Sequence, residues 1–205
     1  LSVVQWGPRK NVENMLRWFV QSFKDNDDVG LVLKTNLAKN CLLDRRAVTD
    51  SIKKVLEDYG DRKCKIYLLH GYLKAPEMSA LYQHPDIKAY ITTTHGEGFG
   101  LPIFEAAYYG LPVAAPDWSG HVDFLYMPVK DKKGKEKVKH MFSKMSYVLM
   151  PVQQHAVWKT VIEEDASWAY PEENSFKRVI SEIYKDHGRH KKRAKDLQKY
   201  ILENF

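Results

Sequence analysis

The sequence predicts a doubly wound α/β domain built on a parallel sheet. Three observations carry that expectation. Short, nearly continuous apolar runs alternate with amphipathic helical patterns, as in a parallel sheet covered on both faces. The connections suit right-handed crossovers. Polar and glycine-rich turns fall at the carboxyl ends of the runs, where such a sheet binds its ligand.

LSVVQW (1–6) reads as a buried strand. Asn11 is a cap for the helix VENMLRWFVQSF, which sets Met15, Leu16, Phe19, Val20 and Phe23 on one face. DNDD turns the chain into the strand VGLVLKT (29–35). A helix over 45–59 turns Val48, Ile52 and Val55 inward and ends at Gly60. The strand CKIYLLH (64–70), a short helix over 76–83 and the strand IKAYITT (87–93) follow. Pro102 suits the first turn of the helix IFEAAYYG, which Gly110 closes before the strand PVAA (112–115). Beyond residue 125 the pattern weakens to a strand, a lysine-rich loop and a second short strand. WKTVIEEDASWAYPEEN reads as irregular. Asn174 then starts the helix SFKRVISEIYKD, Gly188 breaks it, and a basic helix runs to about Phe205.

A chain of 205 residues, 44% hydrophobic, can bury one sizeable core, so the reading is one ligand-binding domain with 174–205 as a helical extension. It opens without Met and already strand-like, which reads as a piece of a longer protein with a partner domain upstream. No run is long and apolar enough to span a bilayer, and no signal peptide is visible. Cys41 and Cys64 match no metal or redox spacing and read as free thiols of a cytoplasmic protein. Much of the net charge of +6 sits in two runs, 130–144 and 185–199. Most of these lysines read as a solvated face. An anionic membrane surface is a second use, which would make the protein peripheral to a membrane. Neither run has the interleaved aromatics of a single-strand nucleic-acid platform, so nucleic acid is not expected as a partner.

The segment 95–125, HGEGFGLPIFEAAYYGLPVAAPDWSGHVDFL, holds the candidate chemistry. Gly96, Gly98 and Gly100 let backbone N–H groups approach an anion closely, and a helix starting near Leu101 points its positive end there. The third glycine comes one residue too early for the dinucleotide fingerprint. Plain turn geometry would also account for the glycines. Glu97 and Glu105 flank the turn, and a carboxylate can accept from both hydroxyls of a vicinal diol. Taken singly, Glu97 could be a solvated loop acid and Glu105 a helix-dipole contact.

Taken together, GEGFGLPIFEAAYYGLPVA resembles the donor-binding, C-terminal half of the GT-B glycosyltransferases of group 1 (family 4-like), whose E-x7-E hallmark Glu97 and Glu105 match. VQWGPRKNVENML, LLHGYLKAPEMSALY, WSGHVDFL and WAYPEEN extend the similarity over nearly the whole chain. The resemblance implies a Rossmann-like donor domain and a retaining transfer of a hexose from a nucleoside diphosphate sugar, UDP- or GDP-linked for example, to an acceptor hydroxyl. It implies that Glu97 binds donor-sugar hydroxyls and Glu105 those of the ribose. Gly98, Phe99, Gly100 and Leu101 would meet the sugar and distal phosphate through backbone, while Lys10, with Arg9 beside it, pairs with the diphosphate. Relatives often carry a further arginine where Val4 and Gln5 stand, which leaves the second cation to Arg9 or Lys34. The base falls along Gly71–Tyr72–Leu73, with Tyr72 either stacking on it or packing. His95, like His121, either touches the sugar region or serves as a structural hydrogen bonder.

Charge on the departing diphosphate would be met by Lys10, Arg9 and the helix end at Leu101, so no metal or other cofactor is expected. The one Asp-x-Asp, Asp25 and Asp27, lies at the opposite edge and reads as a turn and cap. An N-terminal domain would supply the acceptor contacts, leaving this domain inactive alone. The alternatives are a non-catalytic nucleotide-sugar-binding domain, a sugar-nucleotide epimerase, which would not share the whole E-x7-E block, and a basic nucleic-acid-binding domain.

Overall fold

The computed structural model of the protein describes residues 1–130 and 134–205. In chain order the elements are β1 (Ser2–Gln5), α1 (Val12–Phe23), β2 (Gly30–Asn36), α2 (Leu42–Leu56), β3 (Lys65–Leu69), α3 (Ala75–Gln83), β4 (Tyr90–Ile91), α4 (Leu101–Tyr108) and β5 (Val113–Pro116). Then come α5 (Val122–Leu125), β6 (Tyr126–Lys130), β7 (Glu136–His140), β8 (Ser143–Met145), β9 (Tyr147–Pro151), β10 (Ser167–Pro171), α6 (Glu173–Lys185) and α7 (His187–Asn204).

Two parallel ladders, β1-β2-β3 and β4-β5-β8, make up the central sheet. Leu1 joins them: its N donates to Ala89 O and its carbonyl accepts from Ile91 N, both at 2.9 Å. The order is therefore β3-β2-β1-β4-β5-β8, reversing direction of growth beside β1 as a doubly wound fold does. Side chains alternate between the faces. Leu31, Leu33, Ile91 and Ala114 bury into one cluster with Met15, Leu16, Phe19, Val48 and Phe176. Tyr90, Val113 and Ala115 bury into another with Ile103, Phe124, Leu197 and Ile201. The expected inward positions of α1 and α2 are all buried.

The 174–205 stretch serves both layers. Phe176, Val179, Ile180 and Ile183 of α6 close the first cluster, while Leu197 and Ile201 of α7 close the second. The chain changes face at Asp186 (φ −132°, ψ 55°), whose carboxylate accepts from Arg189 N at 3.3 Å and caps α7. The break is therefore at Asp186, and Gly188 lies inside the first turn of α7. Similarly, α6 begins at Glu173 rather than after Asn174, and α2 begins at Leu42, three residues earlier than its apolar pattern indicates.

Asn11 stands at the N-cap of α1 but does not cap with its side chain. It is left-handed (φ 52°), and its Oδ1 accepts from Asn14 Nδ2 at 2.8 Å instead. Strand β4 is only two residues long, shorter than the expected 87–93, although Thr92 N still donates to Ala114 O of β5 at 3.0 Å. After residue 125 the chain is richer in strands than its sequence suggests. It holds an antiparallel β6–β7 hairpin, β8 on the central sheet, and an antiparallel β9–β10 pair whose β10 lies inside the stretch that read as irregular. Part of the expected lysine-rich loop, 131–133, lies outside the described residues. Asp25 and Asp27 fall in the turn between α1 and β2, at the amino edge of the sheet. An apolar cleft of about 380 Å³ lined by Leu1, Phe23 and Ile183 lies at that same edge, away from the glycine turn.

Candidate functional site

Residues 95–101 form an open turn over the carboxyl end of β4. Gly100 takes φ +86° and leads into α4, with Pro102 in the first turn, where its missing N–H costs nothing. A second loop fixes this turn from behind. Glu97 N–H donates to Ser119 Oγ at 3.1 Å. Glu97 O accepts from Ser119 Oγ at 2.7 Å and from Gly120 N at 3.0 Å. A side chain at Gly120 would put its Cβ 1.8 Å from Gly98 O, so only glycine allows the two loops to meet. With the carbonyls held inward, the N–H groups of Gly98, Phe99, Gly100 and Leu101 have no hydrogen-bond partner among the described residues. They stand at the positive end of α4, which is an anion-binding arrangement.

The cations are on the β1–α1 loop. Arg9 and Lys10 lie in a 3₁₀ turn, Pro8–Lys10, that His95 N anchors by donating to Arg9 O at 2.8 Å. Arg9 Nη1 donates to Gly96 O at 2.6 Å and to Glu97 Oε2 at 3.0 Å, and Lys10 Nζ binds Glu97 Oε1 at 2.5 Å. The Glu97 and Lys10 side chains keep 9% and 14% exposure and that of Arg9 41%, so the cluster opens to solvent on the Arg9 side. Burial pushes the Glu97 carboxyl up, but the Lys10 ammonium and then Arg9 outweigh it and hold it below its usual value. Burial pushes Lys10 below the usual lysine value despite the pull of Glu97.

The other expected residues lie around this centre in varying states of engagement. Glu105 is half-buried and accepts through Oε2 from the buried Tyr82 hydroxyl at 2.8 Å. Phe99 packs on Phe104 and Phe124, with centroids 5.3 and 5.1 Å away, so its ring secures the turn while its backbone stays exposed. Lys34, at the end of β2, donates to Gly71 O and so tethers the left-handed Gly71 (φ +105°) next to Tyr72. Tyr72 projects outward, 75% exposed. His95 is buried: Nδ1 bonds Ala169 O at 2.6 Å, and the ring stacks on Trp168 at 4.6 Å. Burial lowers its pKa, so the ring is neutral near pH 7 and donates through Nδ1. His121 is fully buried and bonds Pro116 O at 2.8 Å through Nε2. Sequence reasoning missed the Ser119–Gly120 clamp, Tyr82 and Thr94, whose Oγ1 donates to Gly96 O at 3.1 Å.

No protein-family profile and no curated protein sequence matches the chain. Solved structures do. HepE of Anabaena, crystallised with UDP and glucose, superposes with TM-score 0.63 at 15% identity over 100% of this chain. A glycosyltransferase from Rickettsia africae gives 0.63 at 12% over 100%. The C-terminal domain of the group 1 family glycosyl transferase LpcC from Francisella tularensis gives 0.62 at 12% over 99%. The fold is that of the GT-B glycosyltransferases. This chain spans 43% of HepE and 42% of the Rickettsia protein, and 84% of the LpcC C-terminal domain.

The geometry of this turn sets the expected cost of two substitutions. Glu97→Gln leaves Lys10 part-buried without a counter-charge and should cost about 2 kcal/mol in urea denaturation at pH 7. Because the folded pKa of Glu97 is depressed, its contribution is complete above the ordinary carboxyl pKa. The wild-type-to-variant gap should therefore shrink only as pH falls below that range, through the lower folded value. Gly120→Ala should displace the 96–100 loop and cost about 1–3 kcal/mol as an overpacked contact, read as a fall in melting temperature.

Proposed function

We propose that this chain is the donor-binding domain of a retaining glycosyltransferase that moves a hexose from a nucleoside diphosphate sugar to an acceptor hydroxyl. One observation carries the reading: a row of unpartnered N–H groups, Gly98 to Leu101, at a helix N-terminus beside Arg9 and Lys10. HepE, of the same fold, has been crystallised with UDP and with UDP-glucose, which favours a UDP-sugar as donor.

In this reading Glu97 has two partners in turn. Without donor it neutralises Lys10 and Arg9. A diphosphate, carrying more charge, takes over the two cations and releases the carboxylate to accept from hydroxyls of the donor sugar. Glu105 has Oε2 committed to Tyr82 and offers Oε1 to the ribose diol. Tyr72 and the Gly71 loop receive the base. As the glycosidic bond breaks, negative charge grows on the diphosphate oxygen, which Lys10, Arg9 and the α4 amides meet in this reading. This charge compensation works without a metal, and no other cofactor is invoked. Acceptor contacts come largely from an N-terminal domain, and the protein acts in the cytoplasm.

The structure also brings the two basic runs together. Lys139 of β7 and Arg189, Lys192, Arg193 and Lys199 of α7 line one groove over Met127 and Met141 with Asp196 and Glu203, while Arg189 also pairs with Asp186 at 3.3 Å and Arg193 donates to Ser143 Oγ at 2.7 Å. We assign this face to an anionic membrane surface, where each such cation contributes about 1 kcal/mol.

Calorimetric titration of the chain with UDP, GDP, ADP and their sugars should give saturable binding for at least one nucleotide. Lys10→Ala should weaken it by about 10–100-fold, the loss of a charge-assisted contact. Absence of binding by every nucleoside diphosphate would refute the reading. In flotation assays the chain should rise with phosphatidylglycerol vesicles but not with phosphatidylcholine. Lys192→Glu with Lys199→Glu should abolish this, and flotation insensitive to that double reversal would count against the membrane face.

A further inference from the structure

Asp44 sits in the first turn of α2, where three loop amides and one histidine converge on its carboxylate. Oδ1 accepts from Leu37 N at 3.0 Å, and Oδ2 accepts from Ala38 N and Lys39 N, both at 2.7 Å. His70 Nε2 bonds Oδ1 at 2.8 Å, and both side chains are almost wholly buried. Burial pushes the Asp44 carboxyl up. The amides of Lys39 and Ala38, then the His70 ring and the amide of Leu37, outweigh it and hold the group well below the usual carboxylate range. An ionised carboxylate only accepts, so His70 is the donor, through Nε2. Three successive amides make an anion-binding nest. Here the chain's own carboxylate fills it, so the β2–α2 loop is closed to a phosphate, unlike the open row at Gly98–Leu101.

His70 follows β3 and directly precedes Gly71, Tyr72 and Leu73. The sheet register sets Lys34 of β2 opposite Leu69, and Lys34 Nζ donates to Gly71 O. At the far end, before α3, Lys74 N donates to Glu77 Oε2 at 2.6 Å. Residues 71–73 are therefore tied at both ends. Between the ties, the N–H groups of Gly71, Tyr72 and Leu73 and the carbonyls of Tyr72 and Leu73 have no hydrogen-bond partner among the described residues. Donors and acceptors side by side suit the edge of a heterocyclic base, which carries both. In the sheet order β3 stands two strands from β1, about 10 Å along the edge. A nucleoside diphosphate with its phosphates at Arg9 and Lys10 can reach that far with its base.

We infer that Asp44 and His70 are positioning residues for the nucleobase: the buried pair holds 71–73 so that its free backbone groups meet the base, an inference that rests on the donor-binding reading above. They act through the loop and leave the diphosphate to Arg9, Lys10 and the α4 amides. The test is calorimetric titration of the 205-residue chain with UDP, GDP, ADP and inorganic pyrophosphate, which offers the charge without the base. At least one nucleoside diphosphate should bind more tightly than pyrophosphate. His70→Leu should weaken that nucleotide about tenfold, the value of one neutral hydrogen bond, and leave pyrophosphate unchanged. His70→Gln, whose side-chain amide can still donate to Asp44, should restore most of the loss. Asp44→Asn should act like His70→Leu with a larger fall in melting temperature, since three amides and the histidine lose a charged acceptor. If Asp44→Asn does not fold, the two His70 variants decide. Equal weakening of nucleotide and pyrophosphate by His70→Leu, or of neither, would overturn the inference and leave the donor reading standing. So would a His70→Gln variant as weak as His70→Leu, or a wild-type chain that gains nothing from any base over pyrophosphate. Absence of binding by every nucleoside diphosphate would instead remove the donor reading, and the positioning role with it.

Discussion

One carboxylate holds the two halves of the candidate site together. Glu97 reaches from the β4–α4 turn to Lys10 and Arg9 on the β1–α1 loop, 87 and 88 residues away in sequence. Those loops leave adjacent strands at the point where the sheet reverses its order, so they meet only if the parallel ladder is complete. Under the proposed donor-binding reading, the pairing resolves a conflict within the site. A pocket built to bind a diphosphate must concentrate positive charge, and partly buried cations with no counterpart would oppose folding. An internal carboxylate offsets that cost until a ligand anion arrives. The same residue can therefore stabilise the ligand-free domain and read out the ligand.

The amide row depends on a second, uncharged constraint. Loop backbone tends to satisfy its own polar groups locally. Here Ser119 and Gly120 take the Glu97 carbonyl and amide, and Gly120 comes so near Gly98 O that no side chain fits. Phe99 adds an apolar anchor through Phe104 and Phe124. The turn is thus held by its carbonyls and its one large side chain, which leaves its N–H groups outward. Preorganisation of this kind comes from packing behind the site and costs nothing at the moment of binding.

Much of the central fold was legible because buried parallel strands write a strong signal. Leu31, Val32 and Leu33 all face apolar layers, and the amphipathic faces of α1 and α2 follow the helical period. The signal fails where burial fails. All five residues of β7 are exposed and Val138 alone is apolar, so no buried face marks them as a strand. Helix boundaries set by a local polar contact, as at Asp186, were also missed, since glycine at 188 was the more conspicuous breaker. Within the site, the glycine turn could be picked out from its pattern, and Glu97, Glu105 and Lys10 were named through the family resemblance. That Glu97 and Lys10 neutralise one another, that Tyr82 occupies one oxygen of Glu105, and that Ser119 and Gly120 grip the turn are long-range facts with no local trace.

The open character of β7 has a consequence for colloidal behaviour. Among the described residues this strand has β6 as its one ladder partner, which places it at the edge of its hairpin. Such an edge is a template for stacking chain upon chain. The sequence EKVKH places a charge at three of five positions there, and the single exposed valine, Val138, is flanked by lysine on each side. Mutual repulsion between like edges then keeps one hairpin from extending another, and the lysines act as gatekeepers against fibrous self-assembly.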